Sequence, residues 1–156
     1  MIPAEDLFRL EDEAATVRLG AAIAHELKPG DAVCLSGPLG AGKSTLARAL
    51  IRALTTPDED VPSPTFTLVQ AYEGPRLTVA HFDLYRLASP EEARELGLDE
   101  ALEEGAAVIE WPERLQGHLP LDRLDIEIAL TEDGEGRYVR LIPRGGWEGR
   151  GLEFGS

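Results

Sequence analysis

Residues 37–44 read Gly37-Pro38-Leu39-Gly40-Ala41-Gly42-Lys43-Ser44, with Thr45 following. The octet satisfies G-x-x-x-x-G-K-[ST], a pattern with a mechanism: glycines let successive backbone N–H groups curl round a phosphate. A helix that begins near Lys43 points its positive dipole end at the same anion. The Lys43 ammonium then meets the β and γ phosphates, and the Ser44 hydroxyl is a ligand for Mg²⁺. Such a loop works only between a buried strand and an amphipathic helix, and both flanks comply. Ala32 to Ser36 is a short apolar run without alternation, as a strand buried on both faces of a parallel sheet reads. Ser44 to Leu54 carries Leu46, Leu50 and Leu54 four residues apart. With Lys28 the only other lysine, an incidental surface lysine in a Gly-rich turn explains the match poorly.

The length of 156 residues suits one domain, and 43% hydrophobic residues suit a packed core. The formal net charge of −14 argues against a chain that grips nucleic acid unaided, because phosphate backbones are bound by basic surfaces. A lone cysteine, Cys34, permits no internal disulfide and is read as a packing residue of its strand. No signal-peptide core and no membrane-length apolar run occurs, so a cytoplasmic location and no membrane partner are expected.

Asp12 to Leu27 has helical spacing with Asp12 as cap and Lys28-Pro29-Gly30 as stop. Two β-like runs, Thr65–Tyr72 and Leu77–Leu84, flank Glu73-Gly74-Pro75-Arg76 and predict a hairpin. Ser89-Pro90-Glu91-Glu92 is a capping box that opens a short helix closed at Gly97, and a second short helix is expected from Asp99 to Glu104. Glu100, Glu103 and Glu104 read as its solvated face. Ala106 to Ile109 is another buried strand. Leu124, Ile126, Ile128 and Leu130 alternate with polar or small residues and pair with Arg137–Ile142 as a second hairpin. The expected architecture is α/β: a three-layer P-loop NTPase fold with a mostly parallel central sheet, the loop-bearing strand in its middle, and antiparallel hairpins at its edges. Residues 1–144 form the single domain, and residues 145–156, which lack periodicity, are expected to be a flexible tail.

A phosphate loop that handles Mg²⁺ needs an acid at the carboxyl end of a neighbouring strand. Glu110 follows the strand at 106–109, and Asp83 ends the strand LTVAHF that begins at Leu77. Acids that abut a buried apolar strand need a partner or a cation. His81 lies two residues before Asp83 on the same strand face, where a structural hydrogen bond is its expected role. Ser63-Pro64-Thr65 lies after the loop's helix, where nucleotide switches place a threonine; a plain strand start is the competing reading.

These motifs occur in an order that resembles the TsaE (YjeE) family, small bacterial P-loop ATPases of tRNA threonylcarbamoyladenosine synthesis. The resemblance rests on GPLGAGKST (37–45), VPSPTFTLVQAY (61–72), HFDLYRL (81–87), SPEEARELGLDE (89–100) and VIEWPERL (108–115), and spans about residues 10 to 130. It implies a Mg²⁺-dependent ATPase that is slow alone and supports a TsaD-type threonylcarbamoyl transferase and its TsaB-type paralogue, with tRNA met only through these partners. In residue terms it implies phosphate binding along 37–45, Lys43 on the phosphates, Ser44 and Glu110 on Mg²⁺, Asp83 on the metal shell or the attacking water, and Thr65 in a switch-like loop. It further implies Trp111 beside the nucleotide and the acidic stretch Glu11-Asp12-Glu13 near the base.

Two other classes use the same loop. A small-molecule kinase closes an arginine-bearing lid, whereas the arginines here are scattered with no helical cluster after the loop; as an arginine finger for the ATPase, Arg86 is the nearest candidate and a weak one. A non-hydrolysing nucleotide-gated module needs neither Asp83 nor Glu110. A guanine-specific switch needs a lysine in its base-reading motif, and neither Lys28 nor Lys43 has that context.

Overall fold

The computed structural model describes residues 7–38, 40–62 and 68–150. The expected switch residues Ser63, Pro64 and Thr65 therefore lie outside the described residues, as does Leu39 of the loop.

In chain order the elements are β1 (Leu7–Leu10), α1 (Glu13–Glu26), β2 (Ala32–Ser36), α2 (Lys43–Leu54), β3 (Val69–Glu73), β4 (Thr78–Asp83), α3 (Pro90–Glu95), α4 (Leu98–Glu104), β5 (Ala106–Glu110), β6 (Arg123–Leu130) and β7 (Arg137–Arg144). The strands form one sheet of order β1-β7-β6-β2-β5-β4-β3. β2 pairs in parallel with β5 and β6, and β4 pairs in parallel with β5. The remaining pairs, β1 with β7, β6 with β7 and β3 with β4, are antiparallel. The loop-bearing strand β2 is thus fourth of seven, and the sheet is parallel in its centre, as the sequence predicts. The second hairpin is not itself an edge. β6 lies beside β2, and the border strand is β1, which sequence patterning does not announce.

One sheet face packs on α1 and α2 through Leu19, Ile23, Leu46, Leu50, Val33, Leu35, Val79, Val108, Leu124 and Ile126. The other carries a smaller core under α3 and α4, with Cys34, Phe82, Ala107 and Ile109 at its base. Asp12 caps α1 by accepting from the Ala15 N–H at 2.9 Å. The two helices of the first layer cross closely at Gly20, where a Cβ would lie 2.9 Å from Ala49 Cβ and from the Leu50 nitrogen. The capping box expected at Ser89 does not form. The Ser89 side chain caps nothing, while Glu92 Oε1 accepts from the Ala88 N–H at 2.8 Å.

The expectation of a flexible tail from Gly145 is corrected as far as residue 150. Gly145–Trp147 forms a 3₁₀ turn, and Trp147 is only 1% exposed. Arg150 lies over the Trp147 ring, 4.4 Å from its centroid, and pairs with the buried Asp31 at 2.7 Å. Burying an indole and closing an ion pair need no periodicity, so the pattern of residues 145–150 gave no warning.

Candidate functional site

β2, β4 and β5 end side by side. In the parallel register Leu35 pairs with Glu110 and Glu110 with Asp83, so the two predicted acids are brought together at the carboxyl ends of adjacent strands. Beside them the chain leaves β2 through Gly37, where a Cβ would lie 2.2 Å from the Ile128 carbonyl oxygen and φ is 148°. Only glycine fits where the loop passes that close to β6. Gly42, in the left-handed region at φ 106°, turns the chain into α2, whose N-terminal N–H groups open toward the loop.

Lys43 and Ser44, the first two residues of α2, point at the strand ends. The Ser44 hydroxyl donates to Glu110 Oε1 at 3.2 Å. The Lys43 ammonium donates to the Gly37 and Pro38 carbonyls and rests 3.8 Å from the centroid of the Trp111 ring. Burial pulls the lysine below its usual pKa, while Glu110, Glu113 and Asp83 push it back up. Trp111 is held at φ 61°, a backbone strain tolerated directly after Glu110, and it stacks obliquely on Tyr85 at 4.9 Å.

Glu110 is buried at 3% exposure and does not lack partners. Its second oxygen, Oε2, lies 2.6 Å from His81 Nε2. His81 therefore makes the hydrogen bond expected of it, and its partner is the site's central carboxylate. Asp83 is half-buried, and its Oδ1 accepts from the Tyr85 N–H at 3.1 Å.

A cavity of about 460 Å³ opens over this group, bounded by Gly40, Gly42 and Thr45 on the loop side and by Asp83, Arg86 and Trp111 opposite. Arg86 is exposed on the rim. Sequence reasoning missed Arg137, the first residue of β7, which lines the same cavity with its Nε 3.0 Å from where a Gly42 Cβ would be. Its signal is absent from the local pattern, because β7 reaches the loop only through the pairing of β6 with β2. Arg137 also walls a neighbouring recess of about 100 Å³ together with Asp12, Glu13, Thr16 and Thr45, which brings two of the three acids expected near a base beside the loop.

Hard oxygen donors from Ser44 and Glu110, beside the N-terminus of α2 and the Lys43 ammonium, suit Mg²⁺ carried by a phosphate chain: that ion takes one or two protein oxygens plus phosphate. Among the described residues no group of three or more His, Cys, Asp or Glu could hold a metal ion.

The family model for the threonylcarbamoyl adenosine biosynthesis protein TsaE matches residues 10–139. Similar curated proteins include tRNA threonylcarbamoyladenosine biosynthesis protein TsaE of Rickettsia bellii, 41% identical over 80% of this chain and 86% of that one. The proteins of the same name from Bacillus subtilis and Aquifex aeolicus are 38% and 42% identical over 80% and 85% of this chain, covering 76% and 92% of theirs. Among solved structures, Bacillus subtilis YdiB superposes with a TM-score of 0.72 and 29% identity, over 91% of this chain and 88% of that one. The loop, the paired strand-end acids and these likenesses agree: this chain belongs to the TsaE family, whose proteins take part in making threonylcarbamoyladenosine in tRNA.

Proposed function

We propose that this chain binds Mg-ATP and hydrolyses it slowly, in support of a TsaD-type threonylcarbamoyl transferase working with its TsaB-type paralogue. The observation that carries the reading is the Ser44 hydroxyl on Glu110 Oε1, 3.2 Å away, at the first turn of α2 where the glycine-rich loop ends.

In this reading the loop's backbone N–H groups and Lys43 hold the phosphates, and Ser44 and Glu110 hold Mg²⁺. When bound, the ion neutralises charge on the phosphate oxygens. Asp83, whose Oδ1 is fixed by the Tyr85 N–H, orients water at the cavity's edge. Thr65 belongs to the switch-like loop. The recess between α1 and β7 takes the base. Arg86 on the exposed rim is poorly held for transition-state charge, which fits a slow isolated enzyme. The acidic surface turns tRNA away, and the RNA is met through the partners. Among the described residues no helix is long and apolar enough to cross a membrane.

The test is phosphate release from Mg-ATP by the purified chain, alone and with the TsaD–TsaB pair, with Glu110→Ala as control. A slow rate raised by the pair and abolished in the variant is expected. A rate indifferent to both would sink the reading.

A further inference from the structure

We propose that His81 is a positioning residue that holds the Glu110 carboxylate in its metal-facing orientation and away from the Lys43 ammonium; this rests on the Mg-nucleotide reading above.

β4 and β5 run in parallel with His81 opposite Val108. His81 therefore lies on the α2 side of the sheet, at a position whose predecessor on that face, Val79, is plain core. Burying a polar ring there costs free energy unless it is hydrogen-bonded. Its exposure is 2%, and its Nε2 lies in hydrogen-bond contact with Glu110 Oε2 at 2.6 Å. A carboxylate only accepts, so the proton of that bond sits on Nε2. His81 Nδ1 is buried without a hydrogen-bond partner.

Both carboxylate oxygens are thus spoken for, Oε2 by the imidazole and Oε1 by the Ser44 hydroxyl. The imidazole bond stops rotation about the terminal torsion of Glu110, which is otherwise broad. It also counters the pull of the lysine, since Lys43 and Glu110 attract each other electrostatically. Without His81 the carboxylate is free to swing onto Lys43, occupying the group that should meet phosphate and withdrawing the oxygen offered beside Ser44. Outer partners of this kind change metal affinity by roughly 10- to 100-fold when removed.

The experiment measures Mn²⁺ binding to the chain's ADP complex by electron paramagnetic resonance, for the wild type, His81→Phe, His81→Gln and His81→Asn. ADP affinity in EDTA and thermal unfolding are measured in parallel. Gln extends an N–H donor about as far as Nε2, and Asn does not. Expected in His81→Phe and His81→Asn are a Mn²⁺ affinity at least tenfold weaker and a metal-free ADP affinity that is weaker too, because Glu110 then engages Lys43, and in His81→Gln near-wild-type values of both. Should His81→Phe fail to fold, the Gln and Asn pair decides alone. Equal Mn²⁺ affinities in all folded variants, with only unfolding temperatures moved, would make His81 a packing residue and overturn the proposal. A wild type with no ADP-dependent Mn²⁺ site would instead bring down the Mg-nucleotide reading, and this one with it.

Discussion

The ammonium of Lys43 lies 3.8 Å from the centroid of the Trp111 ring, so the residue expected on phosphate and the residue expected beside it are already in contact. A phosphate in the cradle competes with the indole for that cation. Addition of Mg-ADP is expected to change Trp111 fluorescence. Trp147, buried in the core that packs on α1 and α2, serves as an internal reference. The response should vanish in Trp111→Phe and persist in Trp147→Phe. The opposite pattern would show that the indole does not report on the cradle.

Lys43→Met separates binding from stability. Losing a charge-assisted contact to phosphate is expected to weaken ADP binding by about 2 kcal/mol, roughly 30-fold. Burial already depresses the lysine's pKa, so its charge is held at a cost to the fold. Sign follows from the direction: the folded chain sheds this proton before the unfolded one, so the wild type gains stability with rising pH just below the ordinary lysine range. The methionine variant lacks that gain and is expected to be at least as stable at neutral pH. Denaturant unfolding at two pH values checks both statements.

Cys34 carries the reverse dependence. Burial in β2 pushes its thiol from 9.0 up to about 12. The unfolded chain therefore ionises first as pH rises, and folding stability falls between about pH 9 and 12 by up to about 1.4 kcal/mol per unit. Below pH 9 the group contributes nothing. Cys34→Val should flatten that part of the profile, and an unchanged alkaline slope in urea melts would show that the thiol is not its source.

The terminal clasp is structural. Trp147→Ala removes a side chain 1% exposed and is expected to cost about 3–5 kcal/mol. Arg150→Met leaves Asp31 buried without its ion-pair partner and should cost about 3 kcal/mol. Nucleotide affinity measured below the unfolding transition should be unaltered in both. A loss of affinity would tie the clasp to the site.

What was legible in the sequence was local. The octet 37–44, the flat apolar run of β2 and the four-residue spacing of Leu46, Leu50 and Leu54 sit within one stretch of chain, and each element announces its neighbour. Glu110 and Asp83 could be nominated because an acid after a buried strand is conspicuous. Their shared location came from strand register, which no local pattern encodes. β1 is four residues whose partner strand lies about 130 positions on, and Arg137 reaches the cradle only because β6 returns to β2. Arg150 and Asp31 meet across 119 positions. Such pairings are written in the completed packing, where a short strand, a lone arginine or a glycine-rich end looks like any other.

The position of β2 between β5 and β6 also sets a timetable for synthesis. When residues 32–45 leave the ribosome, both neighbouring strands are still some 60 to 90 residues from being made. The phosphate loop has no sheet to lean on until β5 and β6, residues 106–130, have emerged. Nascent chains stalled after about residue 120 are expected to bind no nucleotide on the ribosome, whereas chains stalled with residue 150 outside the exit tunnel should bind it. Binding by the shorter chains would show that the loop and α2 do not need the completed sheet. Contacts this distant in sequence are slow to form, and an apolar strand left waiting is open to wrong partners, so nascent chains of this protein have reason to need chaperone cover over most of their translation.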